Sequence, residues 1–196
     1  MTTVGAAVLA GGRGERLGGA TKPLLLVEGR RIIERQLEVL RPLFGERLVI
    51  VANDPDPLRD VVGSIDLIAD RVAAGAGPLA GLDAALAYFP AEVSAVVCVA
   101  GDMPFLQPAL LEYLRDAAPA PAIVPRLARG PEPLCARYDR FLAPLVTASL
   151  ASGQRALHRL IGSLSATFMN EELLRRLDPD LRSFTNINTP GDLPAD

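Results

Sequence analysis

Short apolar runs rich in β-branched residues alternate along this chain with stretches whose apolar residues recur at helical spacing. An unbroken apolar run is typical of a strand covered on both faces, and regular alternation of such strands with helices predicts a mainly parallel sheet between helical layers. We predict strands at residues 4–10, 48–52, 65–69, 94–100, 122–125 and 134–138. We predict helices at residues 32–43, 57–63, 81–89, 107–117, 141–152, 154–161 and 171–177.

The length of the chain fits one domain. Its 196 residues, 49% of them hydrophobic, can form one sizeable core and do not require two. A proline-rich section at 119–133 is a candidate boundary, which we interpret as an internal loop and hairpin. We therefore predict a single α/β domain over residues 1–196. Its fold class is a three-layer α/β/α, Rossmann-like arrangement around a mainly parallel mixed sheet.

Charge and composition exclude several classes of partner. A net charge of -3 gives no basic field for nucleic acid, and no apolar run approaches the ~20 residues that span a bilayer. The apolar N-terminus lacks the basic start of a secretory signal. Both cysteines, Cys98 and Cys135, lie in apolar stretches and are expected to be buried free thiols. We expect a cytoplasmic protein that binds neither nucleic acid nor membrane.

A glycine-rich loop between Gly11 and Lys22 follows the first predicted strand directly. Its glycines let successive backbone amides approach an anion without a Cβ in the way. Arg13, Arg16 and Lys22 supply positive charge in the same loop. This combination predicts a polyphosphate-binding site.

The spacing of the loop disfavours two common phosphate-binding motifs. A dinucleotide fingerprint requires Gly-x-Gly-x-x-Gly, whereas three residues separate Gly14 from Gly18 here. A Walker loop requires Ser or Thr after its lysine, whereas Pro23 and an apolar run follow Lys22. The glycine spacing therefore also disfavours an NAD(P)-dependent oxidoreductase.

Polar residues follow the other predicted strands. Asn53 and Asp70 come after the second and third strands, and Asp102 follows the fourth. Ligands of an open α/β sheet collect beyond the carboxyl ends of its strands, and Mg²⁺ commonly takes one or two carboxylates together with substrate phosphates. Asp102 is therefore the candidate magnesium ligand. The alternative, that Asp102 caps the following helix, is less favoured because residues 104–106 separate it from the helix that Gln107 opens. Asn and Asp are also common in turns.

Four segments resemble one family. The pattern Leu-Ala-Gly-Gly-x-x-x-Arg-Leu-Gly-Gly-x-x-Lys at residues 9–22 resembles the signature loop of nucleotidyltransferases. Its Gly-Gly form is most similar to the MobA family of molybdenum cofactor guanylyltransferases, whereas cytidylyltransferase relatives usually carry Ala in place of Gly11. Residues 101–106, 77–82 and 184–193 are similar to further segments of that family. Thr21 and Leu17 depart mildly from its pattern, and residues 132–138 follow it only loosely.

The resemblance implies an activity. It implies transfer of GMP from GTP to the phosphate of molybdopterin or the molybdenum cofactor, with Mg²⁺ held by Asp102 and no covalent enzyme intermediate. Residues up to about 105 would bind the nucleotide, and residues from about 106 to 196 would face the acceptor. Transient contact with cofactor-delivery or acceptor proteins is also expected.

The resemblance also implies roles for individual residues. Lys22, Arg16 and Asp102 are the expected catalytic residues, while Asn186 and Asn188 lie on the acceptor side. The expected nucleotide-binding residues are Leu9, Ala10, Gly11, Gly12, Lys22, Asn53, Asp70, Gly81 and Asp102. Gly81 could equally serve helix packing, and Asn186 and Asn188 could equally stabilise a turn.

Alternative functions stay open at this point. A related enzyme could use CTP, or a sugar or polyol phosphate as acceptor, with the same loop and the same aspartate. A non-catalytic nucleotide-binding protein could share the fold, although Lys22 and Asp102 argue against it.

Overall fold

A computed structural model of the chain describes residues 3–11, 21–72 and 76–187. Apolar strands form the centre of the molecule. The described strands of the main sheet are Thr3–Leu9 (β1), Leu48–Val51 (β4), Asp66–Ile68 (β5), Val93–Ala100 (β6), Ala122–Leu127 (β7), Gly130–Pro131 (β8), Cys135–Asp139 (β9) and Thr167–Met169 (β10); β2 and β3 form a separate hairpin at Leu26–Val27 and Arg30–Arg31. The strands of the main sheet lie in the order β10-β7-β9-β6-β1-β4-β5, and β8 pairs with β7 at one side.

The sheet is mainly parallel, as predicted. β1 pairs in parallel with β4 and β6, β4 with β5, and β7 with β10. β9 runs antiparallel to both β6 and β7. The carboxyl ends of β1, β4, β5 and β6 therefore lie at one edge, where the candidate site residues follow them.

Helices cover both faces of the sheet, which confirms the three-layer architecture. The helices of the described residues span Ile32–Phe44 (α1), Arg59–Val62 (α2), Pro78–Tyr88 (α3), Pro108–Asp116 (α4), Ala143–Ala151 (α5), Leu157–Gly162 (α6) and Glu171–Leu177 (α7). The apolar residues of α1, α2, α4 and α7 pack on one face of the sheet, and those of α3, α5 and α6 pack on the other. Both faces of the central strands are thus removed from water. This burial of apolar surface is the dominant favourable term in folding.

Small elements connect this framework to the site edge. A single 3-10 turn at Lys22–Leu24 leads into a hairpin of β2 (Leu26–Val27) and β3 (Arg30–Arg31), directly before α1. Further 3-10 turns lie at Asp56–Leu58, Arg140–Leu142 and Arg182–Phe184. The helices of the described residues include none long and apolar enough to cross a membrane.

Several boundaries differ from the prediction. Helix α3 begins at Pro78 rather than at residue 81, because proline suits the first helical position, and Gly77 before it adopts a φ of 78°. Helix α6 begins at Leu157 rather than at 154, and a 3-10 turn precedes α5. The proline-rich section contains the β7–β8 hairpin. Strand β10 was not predicted, because its three residues pair with β7 through contacts distant in sequence.

Candidate active site at the carboxyl ends of the strands

A cleft lies at the edge where β1, β4, β5 and β6 end. Its walls come from the first strand and its loop, the Lys22 turn, the start of α3, the end of β6 and the segment before β9. The lining residues are Leu9, Ala10, Gly11, Lys22, Pro23, Val51, Asp70, Gly77, Pro78, Gly81, Ala100, Gly101, Asp102 and Leu134. Seven of the predicted site residues therefore lie around one cleft.

Lys22 and Asp102 meet in this cleft although 80 residues separate them. Lys22 Nζ lies 3.1 Å from Asp102 Oδ2, and the two side chains are 24% and 16% exposed. The 3-10 turn presents the lysine, and the turn after β6 presents the aspartate. The pair joins a cation suited to phosphate with a carboxylate suited to a divalent metal.

The second carboxylate oxygen of Asp102 is an acceptor without a donor among the described residues. Oδ1 is buried and has no hydrogen-bond partner among the described residues, an arrangement that disfavours folding unless something binds there. The described part of the chain contains no group of three or more His, Cys, Asp or Glu residues that could hold a metal. One carboxylate fits Mg²⁺, because this ion completes its coordination with substrate phosphates and water.

Gly101 allows the close approach of three segments beside Asp102. Its amide donates to the Leu9 carbonyl oxygen at 3.0 Å. A Cβ at this position would lie 2.9 Å from Pro23 Cγ and 3.1 Å from Ala10 Cα. The first strand, the Lys22 turn and the Asp102 turn therefore come together only because residue 101 has no side chain.

Asn53 and Asp70 hold each other at the other side of the cleft. Asn53 Nδ2 donates to Asp70 Oδ2 at 2.8 Å, and the Asp70 amide donates to Asn53 Oδ1 at 2.9 Å. A Cβ on Gly11 would lie 3.7 Å from Asn53 Nδ2. The ends of β4 and β5 are thus joined next to the start of the glycine loop, in a polar group that could recognise a base or ribose.

Gly81 packs against the first strand and also faces the cleft. A Cβ at this position would lie 3.2 Å from Leu9 Cδ2, closer than most side-chain contacts, and Gly81 lines the cleft together with Gly77 and Pro78. Close packing of α3 against β1 is therefore one reason for glycine at this position. Because Gly81 also lines the cleft, it lies where a bound nucleotide could contact it, and that contact stays a prediction.

The middle residue of the C-terminal Asn-x-Asn motif, Ile187, reaches Asp102. The Ile187 amide donates to the Asp102 carbonyl oxygen at 2.9 Å, and the Ile187 side chain is fully buried with Val27, Ile32 and Phe105. Asn186 is exposed beside this anchor. Three further predicted residues, Gly12, Arg16 and Asn188, lie outside the described residues.

The cysteines are free and buried, as expected. Burial raises the pKa of the Cys98 thiol to about 12, and it raises the pKa of Cys135 as well. A thiolate is the nucleophilic form of cysteine, and neither thiol would be ionised near neutral pH. Thiol nucleophiles are therefore not part of the chemistry of this site.

Gln36 is a residue near the site that was not among the sequence candidates. Its side chain is fully buried and donates to the Ala100 and Met103 carbonyl oxygens, at either end of the Asp102 turn. A signal was present in the sequence, because Gln36 falls on the apolar stripe of α1 that includes Ile33 and Leu40.

Comparison with known proteins identifies the family. Residues 6–167 match the MobA-like NTP transferase domain. A molybdenum cofactor guanylyltransferase from Desulfosudis oleivorans is 32% identical over 195 residues, covering 98% of this chain and 94% of the relative. A probable molybdenum cofactor guanylyltransferase from Methanosarcina mazei is 35% identical over 202 residues, covering 96% and 87%.

A solved structure agrees with the sequence relatives. The crystal structure of molybdopterin-guanine dinucleotide biosynthesis protein A from Archaeoglobus fulgidus superposes with a TM-score of 0.80 at 33% identity, covering 95% of this chain and 93% of that one. With a family match across most of the chain and relatives of this similarity, the chain belongs to the MobA-like NTP transferases and is a nucleotidyltransferase.

Proposed function

We propose that this protein transfers GMP from GTP to the phosphate of molybdopterin or the molybdenum cofactor, releasing pyrophosphate and forming the guanine dinucleotide form of the cofactor. The names of its relatives support the choice of substrates. The observation that carries the chemistry is the Lys22–Asp102 ion pair. The other carboxylate oxygen of Asp102, Oδ1, is buried and has no hydrogen-bond partner among the described residues.

The two sides of the cleft have different proposed tasks. Asn53 and Asp70, joined by two hydrogen bonds, would contact the nucleoside, with Leu9, Ala10 and Gly11 beside them. Residues up to about 105 would thus form the nucleotide side. The segment around Asn186, anchored to Asp102 through Ile187, lies in the part from about 106 to 196 that would receive the pterin phosphate.

Transfer requires no protein nucleophile. An oxygen of the acceptor phosphate attacks the α-phosphorus of GTP, and the bond between that phosphorus and the oxygen bridging to the β-phosphate breaks. The bonding electron pair leaves with pyrophosphate. The protein acts by alignment and charge stabilisation.

The residues of the chain supply that alignment and charge. Asp102 would hold Mg²⁺ through its carboxylate, and the bound ion would offset negative charge on the phosphates. Lys22 is held at the cleft by Asp102 and would pair with the triphosphate. The backbone amides of the glycine loop and Arg16 are proposed to stabilise the negative charge on the leaving pyrophosphate.

A nucleotide panel tests the function. With molybdopterin as acceptor and Mg²⁺ present, we expect pyrophosphate release with GTP and at least about tenfold less with ATP, CTP or UTP. The measurement is coupled pyrophosphate detection, with omission of the acceptor as the control. Release with CTP alone would assign the chain to cytidylyl transfer, and nucleotide binding without release would indicate a non-catalytic protein.

Gly11→Ala tests the base preference. The structure accommodates a methyl group here, because its Cβ would lie 3.7 Å from Asn53 Nδ2, and the free energy of unfolding should change by less than about 0.5 kcal/mol. We expect kcat/KM for GTP relative to CTP to fall about tenfold, since one methyl group in a base pocket discriminates by that order. An unchanged GTP-to-CTP ratio would contradict a base contact at Gly11.

A further inference from the structure

The Asp102 turn is held by backbone contacts from several elements. The Gly101 amide bonds to Leu9, the Ala100 amide to Leu134 at 2.7 Å, and the Asp102 carbonyl oxygen accepts from Ile187. The Ala100 and Met103 carbonyl oxygens lie on the buried side of the turn. The turn's own bond, from the Met103 amide to the Ala100 carbonyl oxygen, is long at 3.4 Å, so the Ala100 carbonyl oxygen can accept a second, shorter hydrogen bond.

Gln36 supplies those donors. Its Nε2 lies 2.7 Å from the Ala100 carbonyl oxygen and 3.0 Å from the Met103 carbonyl oxygen. A primary amide nitrogen has two hydrogens, and both are used, one on each side of Gly101 and Asp102. The side chain therefore spans the turn that carries the candidate metal ligand.

The cost of this arrangement indicates that it has a purpose. Gln36 is fully buried and is the polar member of a set in which Ile32, Ile33, Leu37, Leu40 and Phe44 are apolar. Its Oε1 is buried without a hydrogen-bond partner among the described residues. A buried, unpaired acceptor destabilises a fold, so the two hydrogen bonds that Gln36 donates to the Asp102 turn must offset this cost.

The neighbouring residue on α1 supports the same segment. Arg35 Nε donates to the Pro104 carbonyl oxygen at 3.1 Å, and its guanidinium lies 5.2 Å from the centre of the Phe105 ring. Two consecutive residues of α1 thus contact the main chain from Ala100 to Pro104. The start of this helix is a support for the Asp102 turn as well as a packing element.

We propose that Gln36 is a positioning residue that fixes the Asp102 turn so that the carboxylate is oriented for a divalent metal. This inference rests on the proposed metal role of Asp102. Groups behind a metal ligand commonly change metal affinity about 10–100-fold when they are replaced. The effect of Gln36 reaches the metal through the main chain, so we expect the lower end of that range.

The test compares Gln36→Met and Gln36→Leu with the unaltered protein. Mn²⁺ dissociation constants would be measured by electron paramagnetic resonance with a non-hydrolysable GTP analogue bound. We expect both variants to bind Mn²⁺ about tenfold more weakly. The unfolding midpoint in urea should change little, because removal of the unpaired Oε1 offsets the loss of the donors to the Ala100 and Met103 carbonyl oxygens. Two apolar side chains of different shape should behave alike if lost hydrogen bonds are the cause.

Two further readouts separate positioning from general stability. Amide hydrogen exchange in a peptide covering residues 100–106 should be about tenfold faster in both variants. In steady state, kcat should fall at fixed Mg²⁺ and recover at high Mg²⁺, while affinity for the GTP analogue without metal stays the same. Leu37→Met, a volume-conserving change on the same buried face of α1, is the control and should change none of these.

The outcomes distinguish this inference from the proposed function. Mn²⁺ affinity and hydrogen exchange that match the unaltered protein in both Gln36 variants would overturn the positioning role alone. Failure of the unaltered protein to bind Mn²⁺ would overturn the metal role of Asp102, and faster exchange at residues 100–106 in the variants would still establish that Gln36 holds the turn.

Discussion

Asp102→Asn is expected to lower kcat/KM for guanylyl transfer by about 10³-fold while the protein stays folded. The amide keeps the shape of the side chain but removes the negative charge that a divalent metal requires. Oδ1 of Asp102 has no hydrogen-bond partner to lose among the described residues, and the Lys22 pair is partly exposed. The free energy of unfolding should therefore change by no more than about 1 kcal/mol.

Steady-state pyrophosphate release and urea unfolding measure the two effects. A suitable control is Asp56→Asn, which removes an exposed ion pair with Arg59 at 2.9 Å and should leave both quantities unchanged. If Asp102→Asn retained Mg²⁺-dependent turnover within about tenfold of the unaltered protein, Asp102 would not be the metal ligand.

Gly101→Ala is expected to destabilise the protein by about 2–3 kcal/mol and to reduce transfer as well. The new methyl group would lie 2.9 Å from Pro23 Cγ, 3.1 Å from Ala10 Cα and 3.3 Å from the Leu9 carbonyl oxygen. Two of these neighbours are backbone atoms of the first strand and its loop, which cannot rotate away. The backbone must separate, and Asp102 moves with it.

Urea unfolding compares this variant with Gly162→Ala. Gly162 ends α6, and no heavy atom outside its own neighbourhood lies within 4 Å of the position that a Cβ would occupy. Alanine there should leave the protein as stable or more stable by up to about 1 kcal/mol. Equal stability of the two variants would show that the crowding around residue 101 relaxes without strain.

The central elements could be predicted because their patterns are local. Strands β1, β4 and β6 are predominantly apolar, with most residues buried on both faces, and the sequence pattern predicts α7 at its observed bounds. Strands β2, β3 and β10 have two or three residues each. Pairing with their partners defines these three strands, because none of them stands out as an apolar run, whereas the equally short β5 lies in the apolar segment at residues 65–69 and is predicted.

The candidate site was predictable to a similar extent. The rule for strand ends brought Lys22, Asn53, Asp70 and Asp102 to one edge without any knowledge of the contacts between them. The Asn53–Asp70 bonds join residues 17 positions apart. The bonds of Gln36 reach 64 and 67 positions along the chain to main-chain oxygens. A carbonyl group has no sequence signature, so such a support is visible only in three dimensions.

The contacts of the Asp102 turn link catalytic activity to the fraction of molecules that are folded. Lys22 and Ile187 approach this turn from 80 and 85 positions away in opposite directions along the chain. Contacts between such distant segments carry the entropic cost of closing long loops, so they are maintained only when the rest of the fold is in place. A half-assembled molecule would hold the parts of the catalytic machinery without their geometry, so turnover would be a faithful gauge of the fraction of molecules that have reached the native state.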